Sequence, residues 1–396
     1  MDYQAPLQVP MSAPDLTEAE RQAVLEVINT NYLSMGPKIQ AFENAMREFI
    51  GVKHAIAVSN GTTGLHLCIH AADVKMGDYV ITTPFSFVSS TNVILFEKAI
   101  PIFVDVDPLT GNIDPNMIAQ AAEDLSKGGK AAQRWLPRKG AVNGGKLKAI
   151  LSVDVFGQPA DMDPILETTK HHNLRLIDDS CEALGAEYKN QKIGTLGDYS
   201  VFAFYPNKQI TTGEGGIIVT DDDNAASLMR SLRNQGRAPQ DTWLDHSYLG
   251  YNYRLNEMSC ALGAAQMERI EELISNRSQV ASWYNQALAN IPGVEIPVIH
   301  KNSTRTSWFV YVIRLAPGLD TNHIAIELKK KGIPVRPYFS PIHLQPYMRE
   351  MFAYQPGDFP VTENLGKRGL ALPFSGIMKK EQVDQVCEVL LNTLSA

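Results

Sequence analysis

The chain has 396 residues, 44% hydrophobic and 20% charged, with a formal net charge of -7. At roughly 100–200 residues per domain this length fits two domains with ample buried core, and the acidic balance argues against nucleic acid as the main partner. The four cysteines, Cys68, Cys181, Cys260 and Cys387, are scattered without a CxxC pair, which argues against a disulfide framework or a zinc site and fits a reducing cytoplasm.

The N-terminal MDYQAPLQVPMSAPDL has neither a basic start nor an apolar run, so no signal peptide is expected, and no stretch nears the ~20 apolar residues of a membrane span. Residues 1–14, with Pro6, Pro10 and Pro14, read as an extended arm. Asp15 or Thr17 then starts a helix, with Glu18 and Glu20 suiting its positive end. Residues 36–50 read as a second amphipathic helix. HAIAVSNGTTGLHLCIHAA follows as an apolar strand, a Ser-Asn-Gly-Thr turn and an apolar helix. DYVIT (78–82) reads as a strand, FSFVSSTNVILFEKA as a helix and PIFVDVD as a strand. KAILSVDVF, LRLIDDS and YSVFAF are further apolar runs, with the helix DPILETTKHHN between the first two. Short buried strands alternating with helices predict an α/β fold with a mostly parallel sheet covered on both faces. Residues 126–148 carry seven Lys or Arg and no acid, and read as an inserted loop, either solvated or in contact with substrate phosphates or a neighbouring subunit. After residue 255 the pattern changes to one long helical run, then short strands, a Pro-rich stretch and a final helix near 381–394. The expected division is a large domain over 1–255 and a smaller α+β domain over 256–396.

One segment carries most of the chemistry. The apolar strand LRLI ends in Asp178 and Asp179, and a second strand leads to Lys208 in the Gly-rich stretch PNKQITTGEGG. Ligands collect at the carboxyl ends of parallel strands, and a lysine desolvated there becomes nucleophilic toward a carbonyl. Either feature alone has an ordinary structural explanation, and it is their combination that points to a site.

Over nearly its whole length the sequence resembles the DegT/DnrJ/EryC1/StrS sugar aminotransferases, a family of fold-type I (aspartate aminotransferase-like) enzymes that use pyridoxal 5'-phosphate. The motifs are AVSNGTTGLHL, FGQPADMD, IDDSCEALGA…FYPNKQITTGEGG, LRNQGR, GYNYRLNEM and PYFSPIHLQP. The resemblance implies that Lys208 holds the cofactor covalently and shuttles a proton. It implies that Asp179, filling the second place of the acid-Asp-small-small pattern, keeps the pyridine nitrogen protonated. Glu182 falls near the phenolic oxygen, Gly61 and Thr62 match the phosphate cup at a helix N-terminus, and Phe87 matches a ring that stacks on the cofactor. Asn252 matches a residue that reaches the partner subunit's cofactor phosphate, which would make a homodimer with shared sites. His343, Arg254 and Tyr338 are the candidates on the substrate side, and no metal is implied. The chain departs from the family at Ala203, where a phosphate-binding serine is usual.

The reaction so implied moves an amino group from an amino acid, L-glutamate first, to a keto-sugar nucleotide, with a mild preference for the 4-keto position because Glu182 resembles the variant of perosamine-type enzymes. The products of such reactions serve surface polysaccharide and related glycans. A sister group that dehydrates sugars carries His where Lys208 stands, which argues against that chemistry here. A non-nucleotide cyclic ketone as acceptor and a cofactor-binding regulator without turnover remain as alternative readings.

Overall fold

The computed structural model describes residues 9–141 and 144–395. Residues 1–8 of the expected arm, and 142–143 of the basic segment, lie outside the described residues. The first strands are β1 (His54–Val58), β2 (Tyr79–Thr82), β3 (Ile100–Phe103), β4 (Leu147–Val153) and β5 (Arg175–Asp179). After the two-residue strands β6 (Glu187–Tyr188) and β7 (Gln191–Lys192) come β8 (Tyr199–Ala203) and β9 (Gly216–Thr220). Seven of these form one sheet in the order β1-β9-β8-β5-β4-β2-β3. β2, β3, β4, β5 and β8 pair in parallel, and β9 pairs antiparallel with both β8 and β1. Two successive reversals return β1 to the direction of β8, so six strands end at one edge. The five-residue strands are almost wholly buried, as the continuous apolar runs require when helices cover both faces.

The helices, in chain order, are α1 (Glu18–Ile28), α2 (Pro37–Ile50), α3 (Gly61–Ala71), α4 (Ser89–Phe96), α5 (Pro115–Lys127), α6 (Gly129–Gln133), α7 (Met162–His172), α8 (Asp223–Arg233), α9 (Glu257–Met267) and α10 (Ile270–Leu288). The chain continues through β10 (Val294–Glu295), β11 (Ser303–Arg305), β12 (Tyr311–Leu315), α11 (Thr321–Lys330), β13 (Arg336–Pro337), α12 (Pro346–Phe352), α13 (Pro360–Arg368), β14 (Gly369–Leu372) and α14 (Lys380–Leu394). A second sheet, β10-β12-β14-β13, lies wholly in this last third.

Three expectations change. Thr17, not Asp15, caps α1: its hydroxyl accepts from the Ala19 amide while Glu20 receives the Thr17 amide, the reciprocal arrangement of a capping box. The long helical run after residue 255 is two helices, broken at Glu268–Arg269, where Arg269 turns to ion pairs with Asp15, Glu20 and Glu272. The helix expected over FSFVSSTNVILFEKA begins only at Ser89, because Pro84 to Val88 form an irregular segment after β2. The cores also interlock across residue 255. Cys260 and Met267 of α9, and Ile270, Leu273 and Ile274 of α10, pack into the main core, whereas Val280, Ala281, Tyr284 and Leu288 of α10 pack into the core of the second sheet.

The basic stretch is partly structured. α5 reaches Lys127 and α6 follows, Arg134 pairs with Asp124, and Arg138 makes a two-pronged pair with Asp358 at 2.6 Å. Much of its charge is therefore matched within the chain. Among the described residues no helix is long and apolar enough to cross a membrane.

Candidate active site

A cleft of about 740 Å³ lies at the strand-end edge of the main sheet, lined by Val153, Asp179 and Ala203 from the ends of β4, β5 and β8. The turn after β1 contributes Asn60, Gly61 and Thr62, and the irregular segment after β2 contributes Ser86 and Phe87. Lys208, in the loop after β8, lines the same cleft, as do Glu182, Phe309, Arg336 and Tyr338. The topology thus draws residues 60 to 338 onto one wall, at the edge where open α/β sheets bind ligands.

Lys208 Nζ lies 3.7 Å from Glu182 Oε1 and 3.7 Å from the centre of the Phe309 ring. Glu182 Oε2 accepts the Phe156 amide at 2.9 Å, which fixes the carboxylate. Burial raises the Glu182 pKa and the Lys208 charge opposes that rise. Asp179 is buried. Burial raises its pKa, against the Cys181 amide that donates to Oδ1 at 3.2 Å and the charge of Lys208. Behind it, burial pushes Asp178 to about 6 despite hydroxyl donors from Ser152 and Ser180. Burial, followed by the proximity of Asp178, pushes Asp154 well above the usual carboxylate range. Asp179 and Glu182 therefore line the cleft and feel the Lys208 charge, whereas Asp178 and Asp154 lie behind its lining.

Gly61 is required by close approach. A Cβ there would stand 2.8 Å from Cys181 Sγ and 2.9 Å from Ala203 Cβ. Asn60 caps α3 by accepting the Thr63 amide at 2.9 Å, and the first-turn amides of Gly61 and Thr62 have no helix carbonyl to bond. Gly157, in FGQP, has φ +90, and a Cβ there would meet Glu182 O and Trp308 N at 2.9 Å. That contact seats the Glu182 and Phe309 segments side by side.

The residues present fit pyridoxal phosphate. Gly61 leaves a cradle at a helix N-terminus suited to a phosphate, and buried Asn207 Oδ1, which lines the cleft, has no hydrogen-bond partner among the described residues. A lysine, a buried carboxylate and the 63% exposed ring of Phe87 surround the remaining space. Ala203 supplies only a methyl group at the position where a serine was expected.

The remaining anticipated residues divide between the cleft and the surrounding structure. Tyr338 lines the cleft, and burial raises its pKa to about 12. Asn252 is exposed and pairs through its backbone with Asn234, and Arg254 Nη1 donates to Asn234 Oδ1 at 3.0 Å. Neither lines the cleft of its own chain. His343 is fully buried, with Nε2 3.0 Å from Glu363 Oε1 and its ring against Phe359 and Tyr354. His343 lies outside the cleft lining, where aromatic rings and a carboxylate enclose the imidazole. Phe309, Arg336 and Asn207 were missed. SWFVYVIRL reads as a strand and IPVRPYF as a Pro-rich loop, so nothing local marked Phe309 or Arg336. Asn207 stands beside the lysine in PNK.

Comparison with known proteins agrees with this geometry. Residues 14–391 match the DegT/DnrJ/EryC1/StrS aminotransferase family. The chain is similar to the GDP-perosamine synthase of Caulobacter vibrioides, 38% identical over 387 residues, covering 97% of each chain. It is also similar to the GDP-perosamine synthase of Escherichia coli O157:H7, 35% identical over 384 residues, covering 96% of this chain and 97% of that one. Among solved structures, Helicobacter pylori PseC, an aminotransferase involved in the biosynthesis of pseudoaminic acid, superposes with a TM-score of 0.86 at 29% identity, covering 98% of this chain and 100% of that one. With lysine, carboxylates and helix terminus gathered at one strand-end cleft and the match running from end to end, the chain belongs to the DegT/DnrJ/EryC1/StrS aminotransferases, enzymes dependent on pyridoxal 5'-phosphate.

Proposed function

We propose that the protein moves an amino group from L-glutamate to the 4-keto group of a nucleotide-linked hexose, for surface polysaccharide or a related glycan. The observation that carries the reading is Lys208 between Glu182 and Phe309, in one cleft with Asp179 and the α3 N-terminus. Similarity to GDP-perosamine synthases makes a GDP-linked acceptor the first to test.

Bound here, the cofactor supplies an aldehyde for the amine and an aromatic ring that accepts electrons. Lys208 would hold it and, once the donor amine takes that place, its freed amine would take up and return the proton of the donor's α-carbon. Asp179 would keep a proton on the pyridine nitrogen, and burial would strengthen that charge interaction. Glu182 would orient Lys208 and tune the phenolic oxygen. Gly61, Thr62 and the α3 amides would bind the phosphate, with Asn252 of a second copy completing the cup, and Phe87 would cover the ring. Tyr338 and Arg336 face the acceptor, and Arg254 and His343 support the surrounding loops.

The test is turnover. Protein aminated with L-glutamate is freed of donor and given GDP-, UDP- or dTDP-linked 4-keto hexoses, or a nucleotide-free cyclic ketone, and mass spectrometry follows the amino product. Amination of a nucleotide-linked 4-keto hexose is expected. Preference for the cyclic ketone, or no product from any acceptor, would contradict the reading.

A further inference from the structure

Arg277 sits midway along α10 and is 3% exposed. Its Nη2 donates to the carbonyls of Asn207 at 3.1 Å and Lys208 at 2.6 Å, and its Nη1 to those of Trp308 and Phe309, both at 3.2 Å. No carboxylate forms an ion pair with it among the described residues, and Asp15, whose charge is felt there, is paired with Arg269. A buried charge without a counterion is costly, so four carbonyls are its compensation. Burial lowers its pKa to about 10, which leaves it charged at neutral pH.

The carbonyls belong to two segments that meet at the cofactor lysine. One is the main chain of Lys208 itself. The other is the turn at Trp308, whose φ of +48 is a left-handed conformation that a bulky residue holds only under constraint, and which presents the Phe309 ring to Lys208 Nζ. The helix that carries Arg277 has its first half in the main core and its second half in the core of the second sheet. A planar fork of donors matches two pairs of carbonyls, whereas an ammonium offers a single point.

We infer that Arg277 is a positioning residue which staples the Lys208 main chain to the Phe309 turn and so fixes both relative to the two cores. The inference rests on Lys208 being the lysine that holds the cofactor. A 1 Å misplacement of a reacting group costs up to ~100-fold in rate, and this is the scale on which losing the staple acts.

The experiment compares wild type with Arg277→Lys, which keeps the charge and stem, and with Arg277→Gln. Arg368→Met serves as a control: Arg368 bonds Leu315 O, Asn364 and Glu295 in the other sheet's surroundings. Each protein, loaded with pyridoxal phosphate, is mixed with L-glutamate in a single turnover and scored per bound cofactor. Separately, borohydride reduction and peptide mapping identify the modified lysine. The expected result for both Arg277 variants is an amine-uptake rate about 10–100-fold lower, little change in glutamate affinity and a reduced yield of label on Lys208, with Arg368→Met like wild type. Should Arg277→Gln not fold, Arg277→Lys decides. A wild-type rate and label yield in Arg277→Lys would overturn the inference. Label on a lysine other than Lys208 in wild type would instead overturn the cofactor-site reading.

Discussion

The wall around Lys208 and the surface around Asn252 make an instructive contrast. Lys208, Asp179, Glu182, Gly61 and Thr62 are separated by up to 147 positions, yet one chain brings them to one cleft, because parallel strands end at a common edge. Asn252 and Arg254 come from an equally distinctive motif, GYNYR, yet they stand outside that cleft. Behind them Tyr251 and Tyr253 stack at 4.7 Å and bond His70 and His66, both of which contact Glu97. That loop is firmly built while its polar tip faces outward. Within one chain the first region gathers its groups at a single cleft, whereas Asn252 of the second stands exposed and outside it. Exposed Trp243, Leu244 and Leu249 in the preceding loop are apolar surface of the kind a subunit contact covers.

Breaking the first region has the largest expected effect. Asp179→Asn removes the buried carboxylate and should lower the amine-uptake rate on the order of 10²–10³-fold, measured in single turnover, with cofactor still bound. An unchanged rate would remove Asp179 from the chemistry. The second region calls for a mixing experiment. Asn252→Ala should weaken cofactor binding about tenfold, the cost of one hydrogen bond to a charged group. When it is unfolded and refolded together with Lys208→Ala and assayed at cofactor concentrations too low to fill the Asn252→Ala sites, activity should exceed that of either parent, because one site of the hybrid draws both residues from intact copies. No gain on mixing would place Asn252 outside a shared site. The smallest effect belongs far from both regions. Thr17→Ala should cost about 1 kcal/mol and leave the cofactor band unchanged. Burial alone would raise the Glu20 pKa, but the Thr17 and Gln266 hydrogen bonds outweigh it and hold the group at about 2. A carboxyl depressed from its ordinary 4.5 stabilises the fold above that pH, and the contribution is lost as pH falls toward 2. Acid denaturation should therefore show a smaller decline over that window in Thr17→Ala.

Six strands of the main sheet were legible because each is an apolar run between turn residues, whereas β9, between β1 and β8, was not anticipated; Lys208 and Asp179 stood out because strand ends and glycines mark them locally. The break between α9 and α10 was not legible. The helical pattern runs on through Glu268, and the cause of the break, Asp15 and Glu20 drawing off Arg269, lies some 250 residues away in sequence. His343 in PIHLQP suggested a loop histidine, yet Glu363, Phe359 and Tyr354 enclose it, and no nearby residue announces that enclosure. Phe309 and Arg277 acquire meaning only from Lys208, so periodicity places both in ordinary strand and helix.

The central claim is that Lys208 holds the cofactor. Its most direct test is the absorbance spectrum of protein reconstituted with pyridoxal phosphate, before and after L-glutamate, for wild type and Lys208→Ala. Wild type should show the band of lysine-bound cofactor near roughly 410–430 nm and shift to about 330 nm with glutamate, while Lys208→Ala shows no lysine-bound band. The same band in Lys208→Ala, or none in the wild type after reconstitution, would contradict the account.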